Sequence, residues 1–88
     1  MEGIEAIKHK SHNVVLDILP NLASEELLDD MDLFNLGLDS VNAIMLVMSL
    51  QDTFGVNFEM SEISIENFRT IADIVNLIEK KKGVYQIG

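Results

Sequence analysis

The sequence of 88 residues contains no cysteine, no tryptophan and one proline. Without cysteine the chain itself has no disulfide, no thiolate metal site and no cysteine nucleophile, so any thiol chemistry would need a bound cofactor. Long apolar runs are also missing, because the most apolar stretch, residues 41–50, is too short to span a bilayer. No basic leader followed by an apolar segment opens the sequence. These absences predict a soluble, cytoplasmic protein that does not bind membranes.

Positive charge is scarce as well. Six Lys and Arg residues oppose fifteen Asp and Glu residues, which gives a formal net charge of −9. Residues 11–68 contain no Lys or Arg at all. A field of one sign repels nucleic acid and accelerates association with proteins that carry basic patches. Solubility alone is the other explanation of this acidity.

Hydrophobic periodicity predicts an all-α fold, a small four-helix bundle with three longer helices and one short helix. The predicted helices cover residues 4–19, 39–54, 62–67 and 70–82. A long loop, laid over the bundle, joins the first two helices, and residues 56–60 form a short extended stretch. We expect one domain over residues 1–83 and a flexible C-terminal tail over residues 84–88.

The helix boundaries follow from residues that cap or terminate helices. Pro20 forces the preceding residue out of the helical region and ends the first helix. Asp39 or Ser40 caps the second helix, since either side chain can accept a hydrogen bond from the first turn. Gly55 ends that helix.

The second helix has apolar residues on two faces. One face is an ordinary core stripe that contains Ala43, Leu46, Val47, Leu50 and Phe54. The opposite face cannot also be buried in so small a domain, and methionine is common at adaptable binding surfaces. We therefore predict that this second face binds partner proteins; it comprises Val41, Ile44, Met45, Met48 and Asp52. The alternative is that the loop at residues 33–38 covers part of it.

Directly before this helix stands the segment Gly37-Leu38-Asp39-Ser40-Val41. It resembles the attachment motif of acyl carrier and peptidyl carrier proteins, the phosphopantetheine-binding family, in which Gly-x-Asp-Ser precedes a hydrophobic residue. The resemblance extends to the length, the acidity and the helix order. It also includes Phe54-Gly55 at the end of the second helix and Arg69-Thr70-Ile71 at the start of the fourth.

The resemblance implies that a phosphopantetheinyl transferase attaches 4'-phosphopantetheine from coenzyme A to Ser40. Asp39 matches the family's aspartate, which helps to dock the serine, and Gly37 lets the serine protrude. Acyl or aminoacyl groups would then be carried as thioesters, in fatty acid, polyketide or nonribosomal peptide-type biosynthesis. The other implied partners are an acyl- or aminoacyl-loading ligase and downstream synthases or transferases with basic or apolar docking patches. The carrier itself is expected to be a monomer and not an enzyme.

Three residues depart from the pattern of fatty-acid carriers. Met45 and Gln51 stand where acidic residues are common, and Val41 stands where leucine is commoner. The second face is therefore more apolar than in those carriers. This favours a stand-alone carrier for a polyketide, nonribosomal peptide or other specialised pathway.

Other functional sites have weaker support in the sequence. His9 and His12 lie on the polar side of the first helix, so we predict that both are solvated and that they bind no metal. No Gly-x-Ser-x-Gly elbow is present, so we predict no catalysis by the chain itself. The acidic run Asp29, Asp30 and Asp32 does not follow the EF-hand pattern, and solvation or steering of basic partners explains it better. The remaining alternative function is an acidic helical interaction module without a prosthetic group.

Overall fold

The computed structural model describes residues 3–83, and within that range it contains helices and loops but no strand. Helix α1 spans Ile4–Ile18, α2 spans Ser40–Phe54, α3 spans Ile65–Phe68 and α4 spans Ile71–Lys82. Single 3-10 turns lie at Ser24–Glu26 and Met60–Glu62. The predicted all-α bundle, with one short helix and a long first loop, is confirmed. The tail predicted at residues 84–88 lies outside the described residues.

The short third helix begins later than predicted. The sequence pattern placed it at residues 62–67, but α3 starts at Ile65 because the hydroxyl of Ser64 caps it by accepting from the Asn67 amide at 3.3 Å. Before that cap, Glu59 and Glu62 close a separate 3-10 turn. The Glu62 amide donates to the Glu59 carbonyl at 2.8 Å, and the Glu59 amide donates to the Glu62 carboxylate at 2.7 Å. Met60 therefore belongs to this turn and not to the predicted extended stretch.

The core lies between α1, α2 and α4, where the apolar stripes of the three helices meet. Burial of these side chains supplies the main favourable term in folding. An edge-to-face contact between Phe58 and Phe68, with ring centroids 5.5 Å apart, anchors both ends of the segment that includes α3. The fully buried apolar residues are Ile7, Val15, Leu33, Leu46, Leu50, Ile71, Ile74 and Ile78.

The core also contains a buried polar side chain, that of Ser11. Ser11 of α1 is completely buried, and its hydroxyl has no hydrogen-bond partner within the described part of the chain. A buried hydroxyl without a partner loses its hydration without compensation. The buried hydroxyl of Ser11 therefore destabilises the folded state.

The loop between α1 and α2 is fastened to the bundle by apolar side chains and by its backbone. Leu27, Leu33 and Leu38 are buried in the core. The Leu33 amide donates to the Arg69 carbonyl at 2.7 Å, and the Ala72 amide donates to the Asp29 carbonyl at 3.0 Å. The loop is thus part of the packed structure, as the sequence predicts.

Two residues of the acidic run have structural roles that the sequence did not reveal. Asp29 pairs with Lys8 of α1 at 3.1 Å, and Asp32 pairs with Arg69 at 3.8 Å. The hydrogen bond with Asp29 raises the pKa of Lys8 above its usual value. Solvation or partner steering is therefore not the whole explanation for Asp29 and Asp32, since both also pair with cations outside the loop.

The prediction of two solvated histidines is wrong for His12. This residue is half-buried, and its Nε2 atom donates to the Leu27 carbonyl oxygen at 3.1 Å. His9 is exposed and contacts the Asn13 amide nitrogen through its Nε2 atom at 3.3 Å. The prediction is confirmed for the exposed His9, but the sequence pattern did not predict the loop that packs against His12.

The last turn of α4 holds two neighbouring segments through its lysines. Lys81 Nζ pairs with the Glu62 carboxylate at 2.6 Å, and Lys82 Nζ donates to the Phe54 carbonyl at 3.2 Å. We call Lys81 and Lys82 the lysine clasp. It joins α4 to the 3-10 turn at Met60–Glu62 and to the end of α2.

Candidate functional site

The start of α2 is set by a buried leucine that follows a glycine. Leu38 is buried, and its amide donates to the Leu33 carbonyl at 3.0 Å. Gly37 has a φ of 116°, a backbone conformation that favours glycine. An added Cβ would lie 3.8 Å from Leu19 Cδ2, an ordinary contact. Backbone conformation, and not lack of space, therefore requires glycine at this position.

Asp39 provides the cap of α2, which leaves Ser40 as the first helical residue. The Asp39 carboxylate accepts from the Asn42 amide at 2.9 Å, and its carbonyl accepts from the Ala43 amide at 2.8 Å. Both Asp39 and Ser40 are exposed, although Leu38 beside them is buried. The Ser40 hydroxyl is therefore presented to solvent and is not used for capping.

The electrostatics at this end of α2 favour an anion. The first-turn amides of a helix lack intrahelical acceptors, and the helix dipole places partial positive charge there. The Asp39 carboxylate already accepts from one of these amides, that of Asn42. A phosphate ester on the Ser40 oxygen would lie beside these groups. Helix position, exposure and hydroxyl chemistry thus fit a phosphodiester at Ser40.

The second apolar face of α2 is exposed. Val41, Ile44, Met45 and Met48 retain 69%, 62%, 52% and 63% of their accessible surface. Asp52 is exposed as well. The loop alternative fails for these residues, because Leu33 and Leu38 turn into the core instead of covering them. The division of α2 into a core face and an open face is therefore confirmed.

The structure adds an apolar groove that the sequence did not predict. It has a volume of about 660 Å³ and lies between α2 and the segment that includes α3. Ser40 lies on its wall, and so do Ile44 and Met48 of the open face. Ile63 and Ile65, which are also exposed, line it from the segment that includes α3. Further lining residues are Phe34, Asp39, Ala43, Val47, Gln51, Ser64 and Phe68.

Gln51 lies on the wall of this groove. Its side-chain Oε1 accepts from the Phe58 amide at 2.9 Å. Its main-chain carbonyl accepts from the Val56 amide at 3.2 Å, and the Gly55 amide also donates to it. Gln51 thus fixes the turn that follows α2.

The described residues contain neither a cluster of metal-ligating side chains nor a helix that could span a membrane. Within residues 3–83, no three His, Cys, Asp or Glu side chains come together in a way that could hold a metal ion. None of the helices in this range combines the length and apolar character that crossing a membrane requires.

Comparison with known proteins identifies relatives along most of the chain. The family model for the phosphopantetheine attachment site matches residues 13–78. An acyl carrier protein of Solidesulfovibrio magneticus is 31% identical over 78 residues, which cover 89% of this chain and 97% of that protein. A D-alanyl carrier protein of Lactobacillus acidophilus is 40% identical over 68 residues, covering 74% and 86%. An acyl carrier protein of Onion yellows phytoplasma is 46% identical over 46 residues, covering 52% of this chain and 58% of the relative.

A small helical bundle with an exposed serine at the start of its second helix has the architecture of a carrier domain. The chain belongs to the phosphopantetheine-binding family of acyl and peptidyl carrier proteins. The domain in this family bears a covalently attached 4'-phosphopantetheine, and its members are carriers and not catalysts. These matches do not support the alternative of an interaction module that lacks a prosthetic group.

Proposed function

We propose that this chain carries acyl or aminoacyl groups as thioesters on a 4'-phosphopantetheine arm attached to Ser40. The observation that supports it is the exposed Ser40 at the start of α2, directly after the buried Leu38, inside the segment that the family model matches. The arm, when bound, supplies the thiol that this cysteine-free chain lacks. The proposed carrier domain covers residues 1–83 and acts as a monomer in the cytoplasm.

Each residue at the start of α2 has a defined part in this proposal. The Ser40 oxygen forms the new bond to phosphorus, the pyrophosphate bond of coenzyme A breaks, and adenosine bisphosphate leaves. The proton of the hydroxyl passes to a base of the transferase, since neither histidine of α1 belongs to the site. Asp39 holds the first turn through Asn42. That turn then stabilises the anionic ester.

The partners of this carrier are proposed to dock on the open face of α2. They are the phosphopantetheinyl transferase, an acyl- or aminoacyl-loading ligase and downstream synthases or transferases. Val41, Ile44, Met45 and Met48 would contact apolar patches on these enzymes, and Asp52 would meet a basic residue. Exposure of these side chains next to Ser40 supports the assignment.

The pathway is proposed to be a specialised one of the polyketide or nonribosomal peptide type, and fatty acid synthesis is the less favoured alternative. The observation behind this preference is the apolar Met45 and the neutral Gln51 on α2, where fatty-acid carriers commonly have acids. The relative from Lactobacillus acidophilus carries D-alanine by its name. It supports an aminoacyl group as one candidate cargo.

Intact-mass measurement tests the attachment directly. The chain is incubated with coenzyme A and a transferase of broad specificity, and we expect it to gain the mass of one phosphopantetheine. Ser40→Ala should remain folded and unmodified, because the cap is Asp39 and the serine is exposed. Ser49→Ala, on the same helix, is the matched control and should still be modified. A mass gain on Ser40→Ala, or none on the unaltered chain, would contradict the proposal.

A further inference from the structure

We infer that Gln51 is a specificity-determining residue. Its side-chain Nε2 group would donate a hydrogen bond to a carbonyl or hydroxyl oxygen that is held in the groove between α2 and the segment that includes α3. The inference rests on the proposed function, because Ser40 lies on the wall of the same groove. It assigns the groove to oxygen-bearing groups, either on the carried cargo or on the amides of the arm.

The orientation of the Gln51 amide is fixed by its partner. The Phe58 amide can only donate, so the atom that it meets at 2.9 Å must be the oxygen of Gln51. The nitrogen end therefore faces elsewhere with its two donors. Within residues 3–83 this nitrogen has no acceptor on the protein.

The apolar surroundings would make the Gln51 Nε2 group distinguish a cargo that carries an oxygen from a saturated one. Of the residues that line the same groove, Val47, Ile63 and Phe68 offer no side-chain hydrogen-bond acceptor, whereas Asp39, Ser40 and Ser64 do. A saturated chain that fills the groove would remove water from the Nε2 group without replacing its hydrogen bond, which is unfavourable. A chain with an oxygen at this depth restores the bond. One neutral hydrogen bond of ordinary strength corresponds to a preference of about three- to ten-fold.

An acidic residue would not produce the same selection. Glutamate at position 51 could accept from the Phe58 amide as glutamine does, but its second oxygen is an acceptor and would repel a carbonyl oxygen. Glutamine at position 51 thus holds the turn after α2 and also offers a donor that glutamate would lack.

The position of Gln51 suits an arm that starts at Ser40. Gln51 lies eleven residues further along α2, which corresponds to a distance of about 16 Å along the helix axis. An extended chain of about fourteen bonds, the length of the arm, spans about 17 Å at roughly 1.2 Å per bond. Gln51 is therefore within reach of groups near the far end of such an arm.

Nuclear magnetic resonance of the Gln51 side chain tests the inference without any enzymatic readout. The ¹⁵N-labelled protein is compared in the unmodified form, with the arm alone, and with the arm bearing a saturated or a β-keto acyl group of equal length. Stable amide analogues of the thioesters prevent hydrolysis. We expect the Nε2 proton resonances to move downfield. A shift with the arm alone identifies an amide of the arm as the acceptor, and a shift only with the β-keto group identifies the cargo.

Two variants separate the donor from other effects. Gln51→Glu retains an acceptor for the Phe58 amide but loses both donors. In the unaltered protein we expect the β-keto group to raise the melting temperature more than the saturated group does. This difference should disappear in Gln51→Glu. Asn57→Asp is the matched control, because it adds the same charge at an exposed position beyond α2 and outside the groove. It should retain the difference between the two cargos.

Two results would overturn the inference. In one, the methyl resonances of Val47 and Ile63 respond to the arm or cargo while the Gln51 Nε2 resonances do not. In the other, no resonance of the groove responds. Mass spectrometry of each sample keeps these results distinct from failure of the proposed function, which would appear as a chain that never gains the arm.

Discussion

Lys82, the last residue of α4, donates a hydrogen bond from its Nζ atom to the carbonyl oxygen of Phe54, the last residue of α2, over 3.2 Å. Helix carbonyls in the last turn lack intrahelical donors, so this lysine satisfies one of them. The preceding Lys81 pairs with Glu62, which lies next to Ile63 on the groove wall. The lysine clasp thus holds both sides of the groove at the end far from Ser40.

Acid should weaken the clasp at Glu62. The hydrogen bond from Lys81, followed by that from the Glu59 amide, holds the pKa of Glu62 below its usual value. A carboxyl whose pKa is lowered by folding stabilises the folded state above its unfolded pKa and loses that contribution as the pH falls through its folded pKa. We therefore expect Glu62→Gln to destabilise the protein at pH 7 and to have less effect below about pH 4, the range in which glutamates protonate.

Urea denaturation from neutral to acid pH measures this effect. Glu66→Gln, a change at an exposed glutamate of α3, is the matched control and should retain the pH dependence of the unaltered protein. A Glu62→Gln variant with the same pH dependence as the unaltered protein would show that the ion pair does not contribute to stability.

Charge introduced on the two faces of α2 should have opposite effects. Met48→Glu changes an exposed side chain and should alter the free energy of unfolding by no more than about 0.5 kcal/mol, while it weakens transfer of cargo to or from the cognate enzyme. Leu46→Glu places an unpaired charge at a site that is 1% exposed and should unfold the domain. Thermal melts together with a loading assay compare the two. Equal stability loss in both variants would contradict an open docking face.

Removal of the buried hydroxyl of Ser11 should stabilise the protein. Ser11→Ala deletes a group that has no hydrogen-bond partner, and alanine also has the higher helix propensity, so we expect a gain of about 1 kcal/mol. Ser49→Ala on α2 is the matched control, since it changes propensity at a half-buried serine and should gain less. Urea denaturation measures both. A smaller gain for Ser11→Ala than for Ser49→Ala would show that the Ser11 hydroxyl is satisfied in solution.

Association with partner enzymes should depend on salt. Residues 11–68 contain no Lys or Arg, and the field of their carboxylates is screened over about 8 Å at physiological ionic strength. We expect the association rate constant to fall as salt is raised, while the dissociation rate constant changes little. Asp52→Asn should reduce this salt dependence. Kinetics that do not respond to salt would indicate that the acidity serves solubility alone.

The parts of the fold that were predictable depend on local sequence. Gly55 and the Asp39 cap lie next to the helix ends that they define, and the two faces of α2 follow from helical spacing alone. The contacts that were missed join residues distant in sequence. The bond from His12 to Leu27 spans fifteen residues, and that from Lys82 to Phe54 spans twenty-eight. The groove was missed for the same reason, because its walls come from segments that are separate in the sequence.

The lysine clasp also limits how this protein can be labelled. Amine-reactive dyes neutralise the ammonium group that they modify, so a dye on Lys81 or Lys82 would remove the contact to Glu62 or to the Phe54 carbonyl. A fluorescence experiment on such a sample would then report a groove whose far end is no longer fastened. The absence of cysteine offers a better route, because a single cysteine introduced at the exposed Thr53 accepts a thiol-reactive dye and leaves the clasp intact. That dye must be attached before the phosphopantetheine arm brings a second thiol.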